Sequence, residues 1–272
     1  MSLGPYLFIV PAILLSLAAQ PGHSLTEEGV IEEGITEEGR AARITEERQP
    51  CRDVQPEGQL LFGDLHVHTR YSLDASTQDT RTGPADAYRF AQGETLGVQP
   101  WRADGTAMRS LKLSRPLDFA AVTDHAELLG EVEICQTPEL EGYGSWQCRL
   151  YRRFPRAAFF IFNTASSMAE RLGFCGDDGA LCRKAALGPW QDIQEAAESA
   201  YDRSEDCKFT TFVAYEWTGA SDSLANLHRN VIFRNGEVPQ HPLSFIDAPS
   251  APQLWDGLDG TALMPKGSAM CW

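Results

Sequence analysis

The sequence predicts an α/β fold, and three observations support this. Short apolar runs with the length of buried strands alternate along the chain with longer segments that have helical periodicity. The 272 residues, 43% of them apolar, are enough to bury a large core. Metal-binding residue types stand at or just after the ends of several predicted strands. Strands that alternate with helices favour a largely parallel sheet.

Each element follows from its local sequence. Residues 59–67 predict the first strand, and residues 71–82, rich in Ser, Thr and Asp, predict the loop after it. Pro84 suits the first turn of a helix that continues to Gln92. The other predicted strands are 117–123, 209–217 and 228–234, and the other predicted helices are 155–172 and 190–203.

The N-terminal region predicts export. Residues 5–19 carry no charge and have the length of the apolar part of a secretory signal, so we assign residues 1–24 as a signal peptide; an uncleaved anchor is the alternative. Residues 25–50 form a predicted acidic linker of Thr-Glu-Glu-Gly-like units, and the folded domain is expected over 51–272. We expect a periplasmic or secreted protein with no stable membrane span after cleavage.

Seven cysteines fit an oxidising compartment. The close pairs Cys135/Cys148 and Cys175/Cys182 would close short loops and leave Cys51 for Cys207, although sequence alone does not fix the connectivity. The net charge of −15 argues against a nucleic-acid surface, which needs clustered Lys and Arg.

The most informative motif is the pair His66 and His68. On a strand, these side chains project from the same side with Cα atoms about 6.5 to 7 Å apart, so both imidazoles can reach one divalent ion. Asp74 follows six residues later, and His125, Glu216 and His228 stand at or near other predicted strand ends. In an α/β barrel those ends share one face, where such barrels assemble their sites.

These residues resemble a known family. Residues 63–74, Gly-Asp-Leu-His-Val-His-Thr-Arg-Tyr-Ser-Leu-Asp, and 118–125, Asp-Phe-Ala-Ala-Val-Thr-Asp-His, are similar to the first two motifs of the PHP (polymerase and histidinol phosphatase) superfamily of metal-dependent phosphoesterases. Residues 212–218 and 226–233 resemble its DUF3604 branch.

The resemblance implies a distorted barrel of seven β/α units that holds two or three divalent ions. It implies that His66 and His68 bind one ion, that Asp74 and His125 bind another, that Glu216 bridges ions, and that His228 completes a second coordination sphere. Asp124 would orient His125. Imidazole with carboxylate suits Zn, Mn or Fe, and such ions would activate water to hydrolyse a small phosphorylated substrate.

Each of these predicted site residues could instead have a purely structural role. An isolated His-x-His is usually a polar pair on a half-exposed strand, Asp124 could be a helix N-cap, and His228 could be a strand-edge histidine. Arg70 and Arg229, like Arg234, lie near the predicted ligands in sequence and could clamp a phosphate or simply form ion pairs.

Residues 261–272 depart from the PHP pattern, which implies further His and Asp ligands there. We therefore expect a C-terminally truncated member with an incomplete barrel and a site that has lost ligands. The expected function is an exported metal-dependent phosphoester hydrolase. The missing C-terminal ligands could make it inactive. The alternatives are a non-catalytic periplasmic metal- or ligand-binding protein and an amidohydrolase-type barrel, against which the pair Asp124-His125 argues.

Overall fold

The strands of the computed structural model lie in three small sheets. The structure describes residues 50–53, 58–221, 225–260 and 269–271, so the predicted signal peptide and almost all of the predicted linker lie outside the described residues. The described strands are β1 Gly63–Val67, β2 Leu96–Trp101, β3 Ala107–Leu111, β4 Phe119–Val122, β5 Thr210–Phe212, β6 Ala214–Ala220, β7 Asn226–Phe233 and β8 Ala269–Cys271.

Helices fill the long intervals between strands, as predicted for an α/β protein. Proline is the first residue of two of them, where its missing N–H costs no helical hydrogen bond. The described helices are α1 Leu73–Ser76, α2 Pro84–Ala91, α3 Leu129–Gln136, α4 Trp146–Arg153, α5 Pro155–Ser167, α6 Ala180–Ala185, α7 Leu187–Ala200 and α8 Ala251–Gly260.

One nearly continuous stretch of extended chain joins a parallel sheet to an antiparallel sheet. In the parallel sheet, of order β1-β4-β5, β4 is central; β7 pairs with both β6 and β8 in the antiparallel sheet, and β2 and β3 form a separate hairpin. Only Val213 separates β5 from β6. A parallel bridge between His125 and Glu216 continues the pairing of β4 beyond β5 into β6. The end of β4 therefore lies beside the middle of β6.

The expectation of a largely parallel sheet holds for β1, β4 and β5 alone. β6 ends at Ala220 and β7 begins at Asn226. So short a connection can reverse the chain, whereas a parallel pair needs a crossover of about a dozen residues or more. The predicted strand 209–217 is accordingly two strands, and its second part belongs to an antiparallel sheet.

Several other predictions are confirmed within a few residues. Helix α2 begins at Pro84, α5 begins at Pro155, and α7 lies three residues earlier than predicted. The hairpin β2–β3 and the helices α3, α4, α6 and α8 were not predicted. The four residues of α1 lie within the segment predicted as a loop.

The main core lies between the sheets and three helices. Tyr88 of α2, Trp190 of α7 and Leu254 of α8 are fully buried in one cluster with side chains of β4, β6 and β7. The NH group of Trp190 donates to the backbone carbonyl of Pro239 at 2.9 Å, so burial of this indole leaves no unpaired donor. A second core cluster lies among α3 to α6 and contains four cysteines.

All three suggested disulfides are present: Cys51–Cys207, Cys135–Cys148 and Cys175–Cys182. Three disulfides are compatible with an oxidising, extracellular environment. Within the described ranges, no helix has both the length and the apolar character needed to cross a bilayer.

Candidate metal centre

All six residues predicted as metal ligands lie together at one end of the parallel sheet. Their potential ligand atoms form three overlapping groups, each with all atoms within 4.8 Å of one another. The groups are His66/His68/Glu216, His68/Asp74/His125, and His125/Glu216/His228. We call these six residues the histidine–carboxylate cluster. The sequence therefore predicted which residues meet, although 162 positions separate its first and last members.

Glu216 is the hub of the histidine–carboxylate cluster. Its side chain is fully buried, and its Oε2 accepts hydrogen bonds from Nε2 of His66 at 2.9 Å and from Nε2 of His68 at 2.7 Å. Its Oε1 accepts from Nδ1 of His228 and, at 3.2 Å, from the hydroxyl of Thr218. A buried carboxylate requires such partners, because its desolvation is costly. Both of its oxygens are therefore directed at imidazoles.

His68 contacts two carboxylates at once. Its Nε2 faces Glu216, and its Nδ1 donates to Oδ2 of Asp74 at 2.9 Å. An imidazole that donates from both nitrogens is an imidazolium, and although burial opposes the charge, the hydrogen bonds to Asp74 and Glu216 raise the pKa of His68 to about 10.

The carboxylates respond in the opposite sense. Burial alone would raise the pKa of Glu216, but the hydrogen bond from His68 and the charge of His125 hold it at about 2. Against burial, His68 also lowers the pKa of Asp74. Protons on His68 and His125 thus balance two buried or half-buried carboxylates. These are the protons that a metal ion would displace, because a ligating imidazole must be neutral at the bound nitrogen.

His125 is held by two residues that sequence reasoning missed. Its Nδ1 lies 2.9 Å from the hydroxyl oxygen of Thr218 and 3.6 Å from Oε2 of Glu127. Oε1 of Glu127 accepts from the backbone N–H groups of Thr218 and Phe245, while its Oε2 is buried without a hydrogen bond. Although burial works against it, Glu127 raises the pKa of His125. The second oxygen of Glu127 therefore faces His125, and in the sequence the signal for this contact was a glutamate two residues after His125.

Asp124 supports the loop after β1 and is not a helix N-cap. It is buried and accepts hydrogen bonds from the backbone N–H and hydroxyl of Thr69, both at 2.6 Å, and from the hydroxyl of Ser72 at 2.8 Å. The oxygen of Ser72 in turn accepts from the backbone N–H of His125 at 2.9 Å. Asp124 therefore fixes the chain on both sides of the site, between His68 and Asp74 and at His125. Burial raises the pKa of Asp124 against these hydrogen bonds.

The sheet register brings the remaining ligands into place. Thr218 of β6 stands opposite His228 of β7, and Glu216 lies two residues earlier in the same strand. Glu216 was expected near a strand end and instead lies inside β6, four residues beyond the end of β5. The side-chain amide of Asn230 donates to the carbonyl of Leu65 at 2.8 Å, which ties β7 to β1.

The predicted phosphate clamp is not brought to the cluster. The guanidinium of Arg70 donates to the hydroxyl of Tyr71 at 2.9 Å and lines a separate surface cleft with Asp192 and Glu195. Arg229 lies next to His228 in β7 and donates to its backbone carbonyl at 3.1 Å. Because successive side chains in a strand point to opposite faces, Arg229 and His228 project on opposite sides of the sheet.

The donor set suits a borderline transition metal. Neutral imidazoles with carboxylates fit Zn, Mn or Fe, whereas Mg or Ca would be held mainly by oxygen. The overlap of the three groups at His68, His125 and Glu216 means that neighbouring ions would share ligands. A fourth cluster, of Glu131, Cys175 and Cys182, is not comparable: its cysteines form a disulfide, and its glutamate pairs with Arg171 at 3.1 Å.

Comparison with known proteins gives one family. Residues 55–271 match the family described as "Protein of unknown function (DUF3604)". No curated protein and no solved structure matches the chain.

Proposed function

The chain belongs to the DUF3604 family, and from the geometry of its candidate metal centre we propose that it is a metal-dependent hydrolase of phosphoesters. The observation that carries this proposal is the convergence of four imidazoles, Asp74 and Glu216, with Glu216 fully buried among them. The resemblance of the first two motifs to the PHP superfamily supports the same reaction class. A distorted barrel and a cluster of two or three ions are part of the proposal.

The cluster has a buried side and an open side. The side chains of His68 and His125 are 15% and 16% exposed, whereas those of His66 and His228 are 52% and 44% exposed. A substrate would therefore approach past His66 and His228. Bound divalent ions would supply an activated water and would neutralise charge on phosphoryl oxygens.

The other residues position the ligands. Glu127 and Thr218 orient His125, and Asp124 fixes the loop that leads from His68 to Asp74. Partners of this kind typically change metal affinity or activity by about 10- to 100-fold when removed. We propose that the protein acts in the periplasm or outside the cell, which its three disulfides support.

One observation favours a second candidate, a non-catalytic metal-binding protein. Among the described residues, no arginine donates a hydrogen bond to a side chain of the histidine–carboxylate cluster. Phosphoester hydrolases commonly use guanidinium groups to hold phosphoryl oxygens, although metal ions can do the same.

The test is metal content together with hydrolysis. The full chain would be loaded with Zn, Mn or Fe(II), desalted, and analysed by mass spectrometry of the metals, then assayed with p-nitrophenyl phosphate and bis(p-nitrophenyl) phosphate. We expect about one equivalent of metal or more, lost in His68→Ala and retained in the control His241→Ala, which changes a histidine outside the cluster. Less than one equivalent in every preparation contradicts metal binding. Stable metal without turnover of either ester favours the second candidate.

A further inference from the structure

The segment from the start of α4 to the residue after α5 exposes several large apolar side chains. Trp146, Phe154, Phe160, Ile161 and Met168 are between 44% and 70% exposed. On α5 the opposite side, with Ala158 and Phe162, is fully buried in the core. A surface helix normally directs a polar face to solvent. This helix also exposes Phe160 and Ile161, and large apolar side chains exposed near one another are a common feature of interaction surfaces.

The same helices carry a local positive charge. Residues 146–168 contain four arginines and no Asp or Glu, whereas the whole chain has a net charge of −15. The nearest acidic residues in the sequence are Glu141 before this segment and Glu170 after it. Arg152 donates to the backbone carbonyls of Cys135 and Tyr143, and the other three arginines are Arg149, Arg153 and Arg156.

These three arginines are available to a partner. All are exposed, and no carboxylate oxygen in the described part of the chain lies within 4.0 Å of their nitrogens. Arg153 places its guanidinium carbon 5.5 Å from the ring centroid of Phe154, a contact that leaves its N–H groups free to donate. We call this surface the basic–apolar face. It consists of Trp146, Arg149, Arg153, Phe154, Arg156, Phe160, Ile161 and Met168.

We propose that the basic–apolar face docks the protein on an anionic phospholipid surface. Arg153 and Arg156 flank Phe154 within the face, so cations alternate with apolar side chains. These arginines are exposed and have no carboxylate partner among the described residues, so the face is complementary in charge to an anionic surface. The alternating arrangement fits the headgroup boundary, where Trp and Phe enter the acyl region and Arg meets lipid phosphates. The acidic remainder of the chain is repelled, so the attachment is oriented.

The test is vesicle sedimentation with the purified full chain. One set of vesicles contains phosphatidylcholine alone. The other contains phosphatidylcholine with about one third phosphatidylglycerol, which makes the vesicle surface anionic. The phosphatidylcholine arm measures any binding through residues 5–19, which every variant shares. We expect binding to the anionic vesicles that weakens as the salt concentration rises, because the surface charges are screened.

Two pairs of variants separate charge from apolar contact. The variant Arg153→Gln with Arg156→Gln should bind about 30-fold more weakly, since each cation near an anionic surface contributes about 1 kcal/mol. The variant Phe160→Ser with Ile161→Ser should lose about tenfold. Matched controls lie on the hairpin: Arg102→Gln with Arg109→Gln, and Met108→Ser with Leu111→Ser, whose apolar side chains are 54% and 55% exposed. These controls should change binding by less than about twofold.

Three results would overturn the proposal: no preference for anionic vesicles, equal losses in face and hairpin variants, or binding to heparin with none to vesicles. The last would assign the face to a polyanionic macromolecule. Circular dichroism identifies a variant that has lost its fold. The variant Arg153→Gln with Arg156→Gln changes only exposed side chains, so its comparison with the hairpin arginine variant tests the proposal even if the apolar variant does not fold.

Discussion

Nε2 of His68 lies 2.7 Å from Oε2 of Glu216, although 148 residues separate them. His68 directly follows β1 and Glu216 belongs to β6, and these two strands do not pair with each other. Strand β4 lies between them: it pairs with β1, and His125, just after β4, forms a bridge with Glu216. This contact makes the cluster a property of the assembled sheet.

Metal affinity should rise with pH. The pKa of His68 is about 10 in the metal-free protein, so below that pH the residue carries a proton that must leave before the ring can bind. For each proton released on binding, the dissociation constant for Zn should fall about tenfold per pH unit between about pH 6 and 8. Competition with a chromophoric chelator at several pH values measures this slope, and calorimetry in two buffers counts the protons. A dissociation constant that does not change over this range would contradict the prediction.

The variant Asp124→Asn should destabilise the protein. An amide would place an N–H group against one or more of three donors, from Thr69 and Ser72, in a fully buried site. We expect the free energy of unfolding to fall by about 2 to 3 kcal/mol. Urea denaturation measures the loss. The matched control is Asp104→Asn, since Asp104 also accepts from the backbone N–H and hydroxyl of one threonine, Thr106, but on the surface. Equal losses in the two variants would show that burial is not the cause.

The variant Glu127→Gln should weaken metal binding with little change in stability. The glutamine keeps the oxygen that accepts from the backbone N–H groups of Thr218 and Phe245. The oxygen near Nδ1 of His125 is replaced by an NH₂ group, which cannot accept a hydrogen bond. We expect Zn affinity to fall by about 10- to 100-fold and the melting temperature of the metal-free protein to change little. Chelator competition and thermal unfolding in EDTA measure the two quantities. A large drop in melting temperature with unchanged affinity would make Glu127 a purely structural residue.

Loss of the Cys51–Cys207 disulfide should lower stability. It joins positions 156 residues apart, and a crosslink over so long a loop removes much entropy from the unfolded chain. The variant Cys51→Ala with Cys207→Ala should lose up to about 5 kcal/mol in this description, measured by urea denaturation. Urea denaturation of the same variant with added reductant measures the separate contribution of the other two disulfides. An unchanged urea midpoint in the variant would mean that the bond adds no stability.

Much of the local structure could be predicted because it depends on short-range patterns. Proline in the first helical turn marked the starts of α2 and α5, and the alternation of a strand placed His66 and His68 on one side, where both reach Glu216. The hairpin β2–β3 was missed because its pattern is weak: β2 contains Gly97 and Pro100, residues that are unfavourable inside strands.

The sequence by itself determined the six members of the cluster, the three disulfide pairs as a suggestion, and the mixed α/β class. Only the tertiary structure decided that β6 turns from parallel to antiparallel pairing, that Asp124 holds the loop after β1, and that Glu127 stands beside His125. The physical reason is that periodicity and residue type are local. The partner of a side chain across the sheet depends on strand order and register, which are fixed by contacts between residues far apart in the sequence.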